Sequence, residues 1–440
     1  MSKKFFKTMT MGILIFVMVF SLAACGNKDN DKAKESDNGG NDSSSNEQVT
    51  IQFATYGLLE KATEKFYTKM AQDFEAKTDV KVEFVSYPYG DLKQQILIKA
   101  NSGDAPDVVH GESSAFSSYL NSGFIEPLDD LLGAEYVNDI YDGVREAMSD
   151  DGKLYGAPWI CSTFLLVYNK DLFEQAGLDP NAPPKTYAEM IKYAEKISEL
   201  KDKDGNKVFG LGSSTASVPV SGENVLSTML TFGGNIYNDK GEVEVDTKGN
   251  LDALKFYKEV QEKGLNPEAA KLKDLRNLMA IGRLGMYFDQ VWGTSGVVGI
   301  NPEIKDSLAV AMIPATDATD GASLLAAHEL HIMKDSKHKK EAAEFVKYIT
   351  SKEVLEEYYN TTLPFIVARK SVNESLNLND NFIDPVKDSM TQVIALAKQH
   401  SDMENALLEI TSAAQRVTIG NESPEDVVKK LDDKLKLVLK

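Results

Sequence analysis

The residues best suited by type to hold a metal are His328 and His331, in the run His328-Glu329-Leu330-His331. Metalloprotease histidines sit at i and i+4 on a helix, which puts both imidazoles on one face. Here the separation is i, i+3, and the flanking Glu-Leu-His-Ile-Met favours a strand, whose positions i and i+3 point to opposite faces. Asp202-Lys203-Asp204-Gly205-Asn206 has the opening of a calcium loop, but such a loop needs glycine at its sixth place and a bidentate glutamate at its twelfth. Those places hold Lys207 and Ser213, so the stretch reads as a tight Asp-Gly turn. There is no Gly-x-Ser-x-Gly, no phosphate loop of the Walker type and no Gly-x-Gly-x-x-Gly. With 67 acidic residues a pair of carboxylates could serve a glycosidase, yet nothing singles one pair out. The expectation is no metal, no cofactor and no catalytic residue.

A second pattern places aromatic and polar residues at strand-to-helix junctions. Tyr56 follows a first strand, and Gly111-Glu112-Ser113-Ser114 a third. Pro158-Trp159 precedes the strand from Thr163, and Asp289-Gln290-Val291-Trp292-Gly293 follows the one from Leu284. In open α/β sheets ligands bind outside the carboxyl ends of the strands. The chain has 2 tryptophans, Trp159 and Trp292, and both fall at such junctions. An indole face is an apolar plate, and carboxylates and amides beside it supply hydrogen bonds. That pairing suits the CH face and the hydroxyls of a sugar ring. The competing reading of each tryptophan is ordinary core.

The elements that must position these residues follow from hydrophobic period. Val49-Thr-Ile-Gln-Phe-Ala alternates as a strand, and Phe66, Met70 and Phe74 stripe a helix over about 59–77. Val80–Val85 is a second strand; a helix capped by Asp91 runs to about Asn101, and Asp107-Val108-Val109 begins a third strand. This β-α-β-α-β opening implies a parallel sheet with crossover helices. Later strands are expected at 163–168, 284–288 and 308–313. Helices are expected at 186–200 with Thr186 as N-cap, at 224–232, 249–264 and 339–349, and over most of the chain beyond Pro385.

The first residues answer a different question. Lys3, Lys4 and Lys7 precede an apolar run, Met11–Phe20, and small residues follow. This describes an export signal over 1–24 and is too short for a comfortable membrane span. Leu22-Ala23-Ala24-Cys25 resembles the lipobox of bacterial lipoproteins, which implies a lipid on Cys25 and a protein held at the outer face of the bacterial cytoplasmic membrane. Residues 25–48 hold almost no apolar side chains and read as a tether. The remaining 49–440 is long for one core and implies two domains. Net charge is −19, and −22 once the three signal lysines are set aside, which argues against nucleic acid as a partner. With Cys25 acylated, Cys161 has no disulfide partner and reads as a small, half-buried filler.

Four stretches in order carry a wider resemblance: Gly103–Val109; Asp151–Pro158 with Tyr168–Phe173 and Ala176–Leu178; Gly282–Trp292; and Ser336–Ser351. Together they resemble the extracellular solute-binding proteins of ABC importers, in the carbohydrate-binding branch that includes maltose-binding protein. The resemblance implies an α/β fold of two discontinuous lobes and a hinge (the type II periplasmic-binding-protein fold), with 49–157 plus 328–363 in one lobe and 158–327 plus 364–440 in the other. It further implies a monomer that captures a carbohydrate between the lobes and delivers it to a permease. Trp292 matches the family's stacking tryptophan, and Glu112, Ser113 and Ser114 fall in the loop that supplies polar contacts. Glu223 and Asn224 match a region that contacts sugar, and His328 lies at the second crossing. Tyr56, Trp159 and Asp289 complete the expected ligand set. Gly111 stands where maltose-binding protein has a tryptophan, which argues against a maltodextrin. The same fold with a glycerophosphodiester, a polyamine or an iron complex stays open, as does a secreted glycosidase.

Overall fold

The computed structural model describes residues 48–440 except 62, 363, 377–381 and 398–399. The expected export signal, the lipidated Cys25 and the tether up to residue 47 lie outside the described residues. Eleven strands are present among them: β1 (Thr50–Thr55), β2 (Lys81–Ser86), β3 (Val108–Glu112), β4 (Ser149–Asp150), β5 (Lys153–Leu154), β6 (Ala157–Ser162), β7 (Leu165–Asn169), β8 (Phe209–Gly212), β9 (Leu284–Asp289), β10 (Leu308–Ala311) and β11 (Ala326–Ile332). They form two main sheets, ordered β2-β1-β3-β11-β6 and β10-β7-β9-β8, with β4 and β5 as a separate pair. The fold is the two-lobed α/β architecture expected, one sheet to each lobe.

In the opening segment β1 pairs in parallel with β2 and β3, and the helices Glu64–Thr78 and Leu92–Asn101 make the crossovers. The apolar stripe read from the sequence is the buried face of the first helix, with Phe66, Met70 and Phe74 inside. That helix begins at Glu64 rather than near Leu59, and Asp91 makes no side-chain cap on the second. Thr186 does cap its helix, accepting from the amide of Glu189 at 3.1 Å. The helix expected from Asn224 starts at Pro219, whose fixed φ suits a first helical position. Beyond Pro385 the long helices are confined to Met403–Thr418 and Pro424–Val438.

Strand β11 decides the geometry of the site. It inserts antiparallel between β3 and β6, so its first residues lie beside the last residues of β3, with His328 opposite Glu112. Strand β6 runs through the expected lobe boundary at 157/158, because all of Ala157–Ser162 belongs to the first sheet. The segment expected wholly in the second lobe from residue 364 also divides. Ile366 exchanges two backbone hydrogen bonds with Cys161, and Arg369 and Ser371 bond Asp139 of the first lobe. The helix Met403–Thr418, by contrast, packs on Pro219–Thr231 in the core of the second sheet. Cys161 is 0% exposed rather than half-buried, and burial pushes its thiol up.

No helix among the described residues is long and apolar enough to cross a membrane.

Candidate functional site

The ends of β1, β3 and β11 converge on one edge of the first sheet. There Tyr56, just past β1, stacks on His110 with ring centroids 4.7 Å apart. Tyr89 meets Tyr56 edge-on at 5.1 Å and donates its hydroxyl to Glu112 Oε2 at 2.7 Å. His328 Nδ1 lies 3.1 Å from His110 Nε2 and 3.4 Å from the Tyr56 hydroxyl. Thr55 Oγ1 lies 2.9 Å from His110 Nδ1, which closes the chain of contacts into the sheet. Burial lowers both histidines, His328 to about 4, so neither carries charge near neutral pH.

The second sheet approaches the same edge. Trp292, past the end of β9, places its indole 6.0 Å from the His328 ring. The β9 exit is pinned to the first sheet, since the amide of Val291 donates to Ser162 Oγ at 3.0 Å. Glu223, near the start of the helix Pro219–Thr231, is pushed up to about 7 by burial, with Glu112 and Glu404 opposing its ionisation. Burial also raises Glu112, against the hydrogen bond from Tyr89 and the nearby Lys93. A cavity of about 130 Å³ is bordered by Ser113, Phe116, Glu223, Glu329 and Glu404.

Tyr56, Glu112, Ser113, Glu223, Trp292 and His328 are thus brought together. Ser113 Oγ accepts from the amide of Ala327 at 3.1 Å, tying the start of its helix to β11. Ser114 follows in the first turn of that helix. Three expected contacts are corrected. Trp159 is 1% exposed, packed edge-on against Tyr67 and His110 inside the core, and offers no free face for stacking. Asp289 is 0% exposed and takes two hydrogen bonds from Arg276, at 2.6 and 2.7 Å, so its oxygens are engaged within the second lobe. Asn224 is buried and donates to the carbonyl of Phe288 at 3.4 Å, bracing β9.

Sequence reasoning missed Tyr89, His110, Arg276 and Glu329. Tyr89 sits in the turn Tyr87-Pro88-Tyr89-Gly90 before a helix, and the junction rule applied to that turn would have found it. Glu329 and His331 lie on the face of β11 opposite His328. His331 Nδ1 donates to the carbonyl of Tyr155 at 2.9 Å, because a carbonyl only accepts, and Nε2 faces Glu329 Oε1 at 3.3 Å. This pair explains Gly111: a Cβ there would come within 2.5 Å of His331 Nε2. The buried histidine leaves no room for a side chain at this position.

Residues 60–356 match the family model described as bacterial extracellular solute-binding protein. The diacetylchitobiose binding protein DasA of Streptomyces coelicolor is 25% identical over 349 residues, which cover 76% of this chain and 76% of that protein. The arabinooligosaccharide-binding protein of Bacillus subtilis is 24% identical over 361 residues, 79% of this chain and 77% of that protein. Among solved structures, the sugar-binding protein MalE from Xanthomonas citri superposes with a TM-score of 0.78 at 22% identity, covering 89% of this chain and 97% of the other.

Proposed function

Because the chain belongs to the bacterial extracellular solute-binding protein family, a family of binding proteins and not of enzymes, we propose that it captures a carbohydrate between its lobes and delivers it to the permease of an ABC importer. The observation that carries this reading is the approach of Trp292, beyond the second sheet, to His328 in the first, with ring centroids 6.0 Å apart beside Glu112. This brings an apolar plate from the second lobe to the polar edge of the first, and the relatives named for diacetylchitobiose and arabinooligosaccharides are consistent with such a ligand. Trp292 and Tyr56 stack on sugar rings. Glu112 and Glu223 accept from hydroxyls, and Ser113 and His328 add polar contacts. A ligand touching both lobes favours the closed arrangement by the contacts only that arrangement makes, and closure reports occupancy to the permease. We assign 49–162 with 326–393 to the first lobe and 165–322 with 394–440 to the second. Cys25 carries the lipid that holds this monomer at the outer face of the membrane.

Thermal-shift screening against a sugar panel tests the ligand class. A sugar at 100 times its dissociation constant adds about 2.7 kcal/mol of stability. A rise in melting temperature with other solutes and with no sugar overturns the carbohydrate reading. Cys25→Ser tests the anchor: ligand binding persists and membrane retention is lost, whereas unchanged retention overturns it.

A further inference from the structure

The cavity bordered by Ser113 and Glu223 is acidic in a way that a neutral sugar does not require. Glu223, Glu329 and Glu404 border it, and Glu112 stands one residue before the bordering Ser113. The four interact electrostatically: Glu112 and Glu404 act on Glu223, and Glu329 and Glu404 on Glu112. Lys93 is the one lysine or arginine among the described residues lining the space, and its Nζ is held by Glu404 Oε1 at 3.0 Å. Tyr89, the hydrogen-bond donor on Glu112, is uncharged. His110 and His328, the imidazoles on the Glu112 side, are neutral. Glu223 and Glu329 therefore have no lysine or arginine partner.

Glu329 supplies an independent sign. It is 1% exposed, and its Oε1 has no hydrogen-bond partner. His331, on the same strand, approaches to 3.3 Å without the alignment of a hydrogen bond. From the packed helix Ser113–Asn121, the polar groups nearest in charge are the Tyr119 hydroxyl and the serines. A buried carboxylate oxygen left unpaired is costly, and a cation with N–H donors removes the cost. Among the described residues no group of three histidine, cysteine or acidic side chains is placed to hold a metal ion. The carboxylates are spread around the cavity, as suits an organic ammonium on a bulky frame.

We infer that the carbohydrate taken by this cleft is an amino sugar, with its protonated amine lodged between Glu223 and Glu329, which both border the cavity. This rests on the carbohydrate reading above and narrows it. The test is titration calorimetry of the purified protein at pH 7 with chitosan oligosaccharides, their N-acetylated counterparts and maltooligosaccharides. The amine series binds at least about tenfold tighter than the acetylated one, since a charge-assisted hydrogen bond is worth that much. Glu223→Gln and Glu329→Gln, each first shown to melt cooperatively, remove most of that preference. If Glu329→Gln fails to fold, Glu223→Gln alone decides. Equal or tighter binding of acetylated or neutral sugars overturns the amine inference and leaves the carbohydrate reading standing. Binding of no sugar at all overturns both. An undiminished amine preference in the variants overturns the placement among these carboxylates.

Discussion

The amide of Phe164 donates to Ser323 Oγ at 2.9 Å. Ser323 in turn donates its own amide to the carbonyl of Gln392 at 2.9 Å and accepts at its carbonyl from Ile394 at 3.0 Å. One serine, 0% exposed, therefore joins the three segments that pass between the sheets: the β6-to-β7 link, the approach to β11 and the return after Gln392.

Ser323→Ala leaves the buried Phe164 amide without its acceptor. The expected loss is about 1–3 kcal/mol in urea denaturation, the cost of stranding a buried donor. An unchanged midpoint would show that a water or a backbone shift takes over the bond.

Trp292→Ala is expected to weaken sugar binding by at least about tenfold while leaving the melting temperature within a few degrees. The ring is half-buried at the edge of the cleft, and truncated aromatic anchors of this kind carry much of a binding energy. Calorimetry on the same sugar with both proteins decides it; equal affinities remove the stacking role.

Arg276→Met strands the carboxylate of Asp289, which is 0% exposed and bonded twice to that guanidinium. Breaking a buried pair from one side costs about 3–5 kcal/mol, and replacing both partners costs less. Denaturation of Arg276→Met and of Arg276→Met/Asp289→Leu should therefore show the double variant as the more stable of the two. The reverse order would mean that Asp289 finds other partners.

Glu223 makes stability depend on pH. Its folded value, about 7, lies above the ordinary 4.5, so the folded state holds the proton more tightly than the unfolded one. The stabilisation this gives is fully present below the ordinary value and is lost as pH rises through about 7. Without ligand, the protein should melt at a lower temperature at pH 8 than at pH 5.5, and Glu223→Gln should narrow that difference. An identical drop in the variant would assign the pH dependence to other groups.

Much of the architecture was legible because local period reports burial directly. The alternation of Val49–Ala54 and the four-residue stripe of Phe66, Met70 and Phe74 could serve only a half-covered strand and a one-sided helix. The same reasoning singled out Tyr56, Glu112 and Trp292 as candidates, since a strand's carboxyl end is a position in sequence before it is one in space. It failed for Trp159, whose neighbours Tyr67 and Tyr358 come from distant segments, and for Asp289, whose partner Arg276 lies on the helix just before its strand.

By itself the sequence determined the α/β class, the lack of a catalytic motif and the strand-to-helix junctions proposed for ligand contact. These follow from residue type and spacing along one chain. Only the tertiary structure decided which junction residues face a shared space. That choice was made when β11 entered antiparallel beside β3 and set His328 against Glu112. It placed Glu329 and His331 on the opposite face, under Gly111, where a side chain at 111 cannot fit. Strand order and direction depend on contacts more than 200 residues apart, and no local pattern encodes them.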